Sequence, residues 1–220
     1  MMTIPDTTTP VTVLRAAAHG PLGILRSLGR LGVPVYVVDG DARVPAFTSR
    51  YCRGRFVCDV GGPAAGTVEA LLRIGRSIGR RSILIPTTDD GALFVATHAA
   101  ALRESFWLTD LAPGLVGRLC SKRGMHALAR EVGVPTAHAV FPRDRHEVHE
   151  FLRTAAFPVM LKGIDGVRLQ ERAGARMFIV RTADELLARY DALEDPAVPN
   201  LMLQEYIPGG DDTVWMFNGY

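Results

Sequence analysis

Apolar residues in the first 115 positions gather into short β-branched runs separated by longer stretches with near-helical spacing. "VTVLRAA" from Val11 and "VPVYVVD" ending at Asp39 are runs of the kind a strand buried on both faces requires. Between them, "PLGILRSLGRLG" carries Leu22, Leu25, Leu28 and Leu31 along one helical face. Pro21 stands at its start, where a missing N–H costs nothing. The order repeats: "TVEALLRIGRSIG" predicts a helix, "SILIP" a strand, and "DDGALFVATHAAALR" a helix with Thr88 or Asp89 as its N-cap. Such alternation predicts a parallel, doubly wound sheet. The intervening "DGDARVPAFTSRYCRGRF", from Asp39 to Phe56, reads as a solvated loop.

From Cys120 onward the pattern changes to an α+β order. "SKRGMHALAREVG" predicts a helix capped by Ser121 and closed by Gly133, and "VPTAHAVF" a strand. A helix over 144–156 follows, then a strand "FPVMLKGI", a loop "DGVRLQERAGA" and a strand "RMFIVR". "TADELLARYDAL" predicts a helix with Thr182 as cap and Glu185 in the capping-box position. The strand "NLMLQEYI" comes next, then a polar hinge "PGGDD" and a strand-like run "TVWMFNGY". This order sets Lys162 near the end of one strand and Gln204 and Glu205 near the end of another.

Composition narrows the functional classes. In 220 residues, 25 basic and 23 acidic side chains leave a net charge of +2. They are spread along the chain, so there is no footprint for nucleic acid and no basic patch for a membrane. Small-molecule partners are expected, and a homo-oligomer stays open. Cys52, Cys58 and Cys120 form no CxxC pair and fit free thiols in a reducing cytoplasm. "MMTIPDTTTP" lacks the basic and apolar regions of a secretory signal, so residues 1–10 are expected to be a disordered tail. "HEVHE", from His146, resembles a zinc-protease motif, but Glu150 stands where the second histidine belongs, and no metal site is assigned. "AHGPLG", from Ala18, approaches a dinucleotide fingerprint, with Asp39 as the ribose acid. Pro21 weakens it, because it has no N–H for a phosphate. A dinucleotide-binding oxidoreductase is therefore one alternative reading, and a non-catalytic nucleotide-binding or interaction module another.

Among the 25 basic residues only Lys122 and Lys162 are lysines. Around them the landmarks "SKRGMHALAREVGVPTA", "FPVMLKG" and "LQEYIPGGDD" follow a first domain with "GILRSLGRLGVPVYVVD" and "ILIPTTDDGALFVATH". Taken in order, these resemble the ATP-grasp superfamily, and within it the carboxylate-amine ligases. The resemblance implies an α/β protein: a Rossmann-like pre-ATP-grasp domain over 11–115, then an α+β ATP-binding lobe over 116–207. It also implies that 208–220 begin a second lobe that is truncated here, so that a longer reading frame is expected.

By the same resemblance Lys122 and Lys162 approach the nucleotide. Lysine suits phosphate as a compact point charge. Gln204 or Glu205 would bond the adenine amino group, and the backbone of Tyr206 and Ile207 would read the ring. Asp211, with Asp212 second, would hold the ribose. The cofactors implied are ATP and Mg2+, the metal ligands being expected in the later half, and no catalytic residue is assigned. The reaction implied joins a carboxylate and an amine through an acyl phosphate. His19, Asp89 and Asp90 are weak candidates for substrate contact. Many relatives cover the phosphates with a glycine-rich loop, whereas here 163–176 is bulky and charged. Arg168, Arg172 or Arg176 would have to replace such contacts.

Overall fold

The computed structural model describes residues 5–215, and the chain divides into two compact units, one running to Cys120 and one starting at Ser121. In the first unit, β1 (Val11–Leu14), α1 (His19–Arg30), β2 (Val35–Asp39), β3 (Cys52–Val57), α2 (Ala64–Ile78) and β4 (Ser82–Pro86) succeed one another, followed by α3 (Asp89–Thr97), α4 (Ala99–Leu102), β5 (Phe106–Trp107) and α5 (Leu115–Leu119). The five strands form one parallel sheet in the order β3-β2-β1-β4-β5. β1 lies at its centre, and all four of its residues are buried, the Thr12 hydroxyl being satisfied by the Ser82 hydroxyl at 2.7 Å. Val13, Leu25, Val35 and Val37 pack on one side. Leu14, Val38, Leu71, Leu84 and Phe106 pack on the other.

Several expectations for this unit are corrected. The stretch from Asp39 to Phe56 is not one solvated loop: Pro45–Thr48 form a 3-10 turn that buries Ala46 and Phe47, and Cys52–Val57 form an edge strand. The arginines that made it look solvated are outward residues of that strand, where Arg53 and Arg55 alternate with half-buried Cys52, Gly54 and Phe56. Gly54 is needed there, because a Cβ would sit 2.8 Å from the Tyr36 ring. The helix over 89–103 breaks at His98 into α3 and α4. The unit also passes the expected boundary at 115, since α5 packs against α3. Of the tail expected over 1–10, residues 1–4 lie outside the described residues. Pro10 is buried and its carbonyl accepts from the Ile83 N–H at 2.9 Å, so the chain is already tied to β4 before β1 begins.

In the second unit α6 (Lys122–Glu131), β6 (Ala139–Val140), α7 (Arg145–Leu152), β7 (Val159–Gly163), α8 (Gly166–Ala173), β8 (Met177–Val180), α9 (Ala183–Leu193) and β9 (Leu201–Glu205) build a four-stranded antiparallel sheet in the order β6-β9-β7-β8. Val148 and Phe151 of α7, Leu169 of α8, and Leu186 and Tyr190 of α9 close on Val159, Leu161, Val180, Leu201 and Leu203. One face of the sheet is thereby filled. The expected strand over 134–141 shrinks to two residues, and the helix over 144–156 to Arg145–Leu152.

The expected loop after β7 is a helix. Asp165 caps it by accepting from the N–H groups of Val167 and Arg168, Leu169 is buried beneath it, and Gly174 ends it at φ +74°. The strand-like reading of "TVWMFNGY" also fails in its described part: Asp211–Thr213 make a 3-10 turn, and Val214 and Trp215 belong to no strand. Residues 216–220 lie outside the described residues.

Candidate functional site

Side chains alternate across a strand, so burying Leu161 and Leu203 against the helices turns their neighbours to the other face of the sheet. Register places Lys162 opposite Met202 and Met160 opposite Gln204, with Met177 and Ile179 of β8 beside them. Met177 and Ile179 are exposed. This second face therefore carries a lysine and a glutamine among flexible apolar side chains. α6 stands over part of it. Ser121 caps α6 by accepting from the Gly124 N–H, which fixes Lys122 as its first residue. Lys122, Met125, His126 and Ala129, at helical spacing, line a cavity of about 370 Å³ together with Lys162, Met202 and Gln204.

The polar groups of this cavity are tied to defined partners. Lys122 Nζ donates to the carbonyls of Gly163, the last residue of β7, and of Ile164 just after it, each at 2.7 Å. Lys162 Nζ donates to Gln204 Oε1 at 3.0 Å. Burial, and then the charge of Lys122, push the Lys162 amine below its ordinary value of 10.5. The site thus concentrates positive charge against an apolar wall, an arrangement suited to an anion joined to a flat apolar group.

Three of the seven nucleotide candidates, Lys122, Lys162 and Gln204, meet in this cavity. Glu205, Tyr206 and Ile207 are not among its lining residues. Glu205 follows Gln204 and so points to the opposite face, with its N–H donating to the His138 carbonyl at 2.9 Å. Tyr206 and Ile207 leave the sheet, Ile207 being exposed. Asp211 belongs by its backbone to the final 3-10 turn, and its side chain lies outside the described residues; Asp212 is exposed.

The arginines considered for phosphate have other partners. Arg168 reaches Asp195 and the Val198 carbonyl at 2.8 Å each, Arg172 the Glu194 carbonyl, and Arg176 Gln170. Met125, His126 and Met202 were missed from the sequence. Steps of three and four from Lys122, and of two from Gln204, would have found them.

The first unit offers less. Its strand order reverses between β1 and β4, the crevice where open α/β sheets receive ligands. Asp39, at the end of β2, is buried there, and its carboxylate accepts from the N–H groups of Ala16 and Asp41. It therefore braces the β1–α1 turn and does not project as a ribose acid. Arg15, in a left-handed conformation at φ 67°, pairs with Asp90. A separate cavity of about 290 Å³ is lined mainly by aliphatic residues such as Leu84, Leu93, Leu108, Leu111 and Val116. Among the described residues no cluster of three His, Cys, Asp or Glu side chains could hold a metal ion.

No protein-family profile matches the chain, and no curated protein matches its sequence. Its fold, a parallel sheet followed by an antiparallel one, is nevertheless shared with part of several solved synthetase, ligase and carboxylase structures. The ADP complex of purK, an N5-carboxyaminoimidazole ribonucleotide synthetase, superposes with a TM-score of 0.68 at 12% identity over 94% of this chain and 49% of its own. The L-amino acid ligase from Bacillus licheniformis gives 0.65 at 14% identity, over 93% of this chain and 45% of its own. The biotin carboxylase domain of the Hydrogenobacter thermophilus 2-oxoglutarate carboxylase, solved with MgADP and bicarbonate, gives 0.60 at 18% identity, over 89% and 44%. The chain spans about half the length of the solved structures it matches. Among the described residues no helix is long and apolar enough to cross a membrane.

Proposed function

We propose that this chain carries the nucleotide-binding part of an ATP-dependent carboxylate-amine ligase. The observation that carries the reading is the convergence of Lys122, Lys162 and Gln204, drawn from α6, β7 and β9, on one cavity of the second unit. The two ammonium groups attract the polyphosphate. Met125, Val134 and Met202 give the base an apolar seat, and Gln204 offers it a polar edge. Backbone groups of Tyr206 and Ile207, with Asp211 for the ribose, complete the proposed nucleotide set. The solved structures of this fold that hold ADP support the reading.

In the reaction proposed for the whole enzyme, a carboxylate oxygen attacks the γ-phosphorus of ATP. The bond to the β,γ-bridging oxygen breaks, ADP leaves, and an acyl phosphate remains. An amine nitrogen then attacks the acyl carbon, phosphate departs, and the nitrogen gives up its proton as the amide forms. Lys122 and Lys162 would serve the first step by offsetting charge on the phosphoryl oxygens. Because the described residues include no metal cluster, no step is assigned to Mg2+ through them.

Calorimetric titration with ATP tests the proposal. The wild-type chain should bind ATP, and Lys162→Ala should weaken binding by about tenfold or more, as expected for loss of a charge-assisted contact. Equal affinity in the two proteins would refute the role of Lys162.

A further inference from the structure

Lys122 does not bind its two carbonyls by its own geometry alone, because the turn that presents them is itself held by a buried amide. Asn200 is only 8% exposed and stands immediately before β9. Its Oδ1 accepts from the Asp165 N–H at 2.8 Å and its Nδ2 donates to the Asp165 carbonyl at 3.1 Å, while its own carbonyl accepts from the Ile164 N–H at 2.7 Å. Three bonds therefore join one residue to Ile164 and Asp165. Asn200 is fixed in turn by Glu194, whose buried carboxylate accepts from the N–H groups of Asp195, Asn200 and Leu201. The turn folds closely on itself, with space at Gly163 for no side chain: a Cβ there would meet the Asp165 carbonyl oxygen at 2.5 Å.

We infer that Asn200 is a positioning residue for the nucleotide site: by pinning the Gly163–Asp165 turn it aims the two carbonyls that hold the Lys122 ammonium in the cavity beside Lys162. An ammonium has three donors. With two directed to Gly163 and Ile164, the third is left for a ligand oxygen at a fixed place, so the charge is preorganised and little side-chain freedom is lost when the anion arrives. A lysine released from the turn would keep its charge and lose that aim. What the held ammonium serves rests on the nucleotide reading above; the holding itself does not.

The chain's two lysines make the test direct, because acylation by an N-hydroxysuccinimide ester can be read separately at Lys122 and Lys162 by mass spectrometry. Asn200→Ala should raise the rate at Lys122 about fivefold, the factor matching one lost hydrogen bond, and leave Lys162 unchanged. It should weaken ATP by a similar factor while adenosine binds as before. In a Lys122→Ala background, Asn200→Ala should have no further effect on ATP, since the group it acts through is gone.

Unchanged labelling of Lys122 would overturn the inference. So would adenosine and ATP weakening together, or an ATP effect that persists without Lys122. If Asn200→Ala does not fold, Asn200→Asp substitutes for it: this variant keeps the acceptor for the Asp165 N–H, sets an oxygen against the Asp165 carbonyl, and should shift labelling the same way. Should the wild type bind no ATP, the nucleotide reading falls, and the labelling result alone decides whether Asn200 holds Lys122.

Discussion

Glu194→Ala is the substitution whose cost follows most directly from the geometry. The Glu194 side chain is 7% exposed at the end of α9, and its carboxylate accepts from the N–H groups of Asp195 and Asn200 at 2.8 Å and of Leu201 at 3.1 Å. Alanine leaves three N–H groups without that acceptor, those of Asn200 and Leu201 in buried bonds and that of Asp195 in a part-buried one. At about 1 kcal/mol or more for each unsatisfied buried donor, the two buried groups set a floor of about 2 kcal/mol. Glu194→Gln should cost less, because a carbonyl oxygen in the Oε1 position still accepts two of the bonds, while its amide group faces the Leu201 N–H donor to donor.

A unit of this size loses roughly 4–8 °C of midpoint per kcal/mol, so Glu194→Ala should lower the melting midpoint of the second unit by about 8 °C or more. Thermal melts followed by circular dichroism would measure it. Hydrogen exchange at Asp195, Asn200 and Leu201 would locate it, which matters because two units need not unfold as one. A loss below about 1 kcal/mol for Glu194→Ala would refute the reasoning, as would Glu194→Gln matching it.

Two further predictions concern the site. Because the folded pKa of Lys162 lies below its ordinary 10.5, its charge should disappear as pH rises through that lowered value. ATP affinity measured against pH should then fall earlier on the alkaline side than an ordinary lysine allows. The native state binds fewer protons in the same window, so folding stability should rise with pH there. Lys162→Arg should flatten the affinity profile, and superimposable profiles would sink this account. Gly163→Ala should destabilise the second unit by more than about 1 kcal/mol, since its Cβ meets the Asp165 carbonyl oxygen at 2.5 Å and Leu169 Cβ at 2.7 Å. Gly166→Ala is the control: its Cβ meets only the Arg176 side chain, at 3.5 Å, and equal melting curves for the two variants would contradict the prediction.

Much of the fold was legible because local chemistry and tertiary context agree. The strands β1, β2 and β4 announced themselves as short, mainly apolar runs. The caps Ser121, Thr88 and Thr182 stand where hydroxyls precede periodic apolar residues, and each accepts the expected N–H. Reading failed where charge hid a structured segment. Edge strand β3 and helix α8 each bury only one side and offer their arginines to the other, so polarity alone made them look like loops. For α8 the signals are present in Asp165 as cap and Gly174 as stop, with Leu169 as the one buried side chain between them.

Sequence by itself determined most of the order of strands and helices and the rarity of lysine, and its resemblance to a known family made Lys122, Lys162 and either Gln204 or Glu205 candidates. Tertiary structure decided which residues share the cavity. Period-two alternation on β9 turns Gln204 toward Lys162 and Glu205 away, and only knowledge of which face the helices fill fixes that choice. It also decided the partners of Lys122. The bonds from Asn200 to Asp165, and from Lys122 to Gly163 and Ile164, join positions far apart in the chain, and no local propensity encodes them.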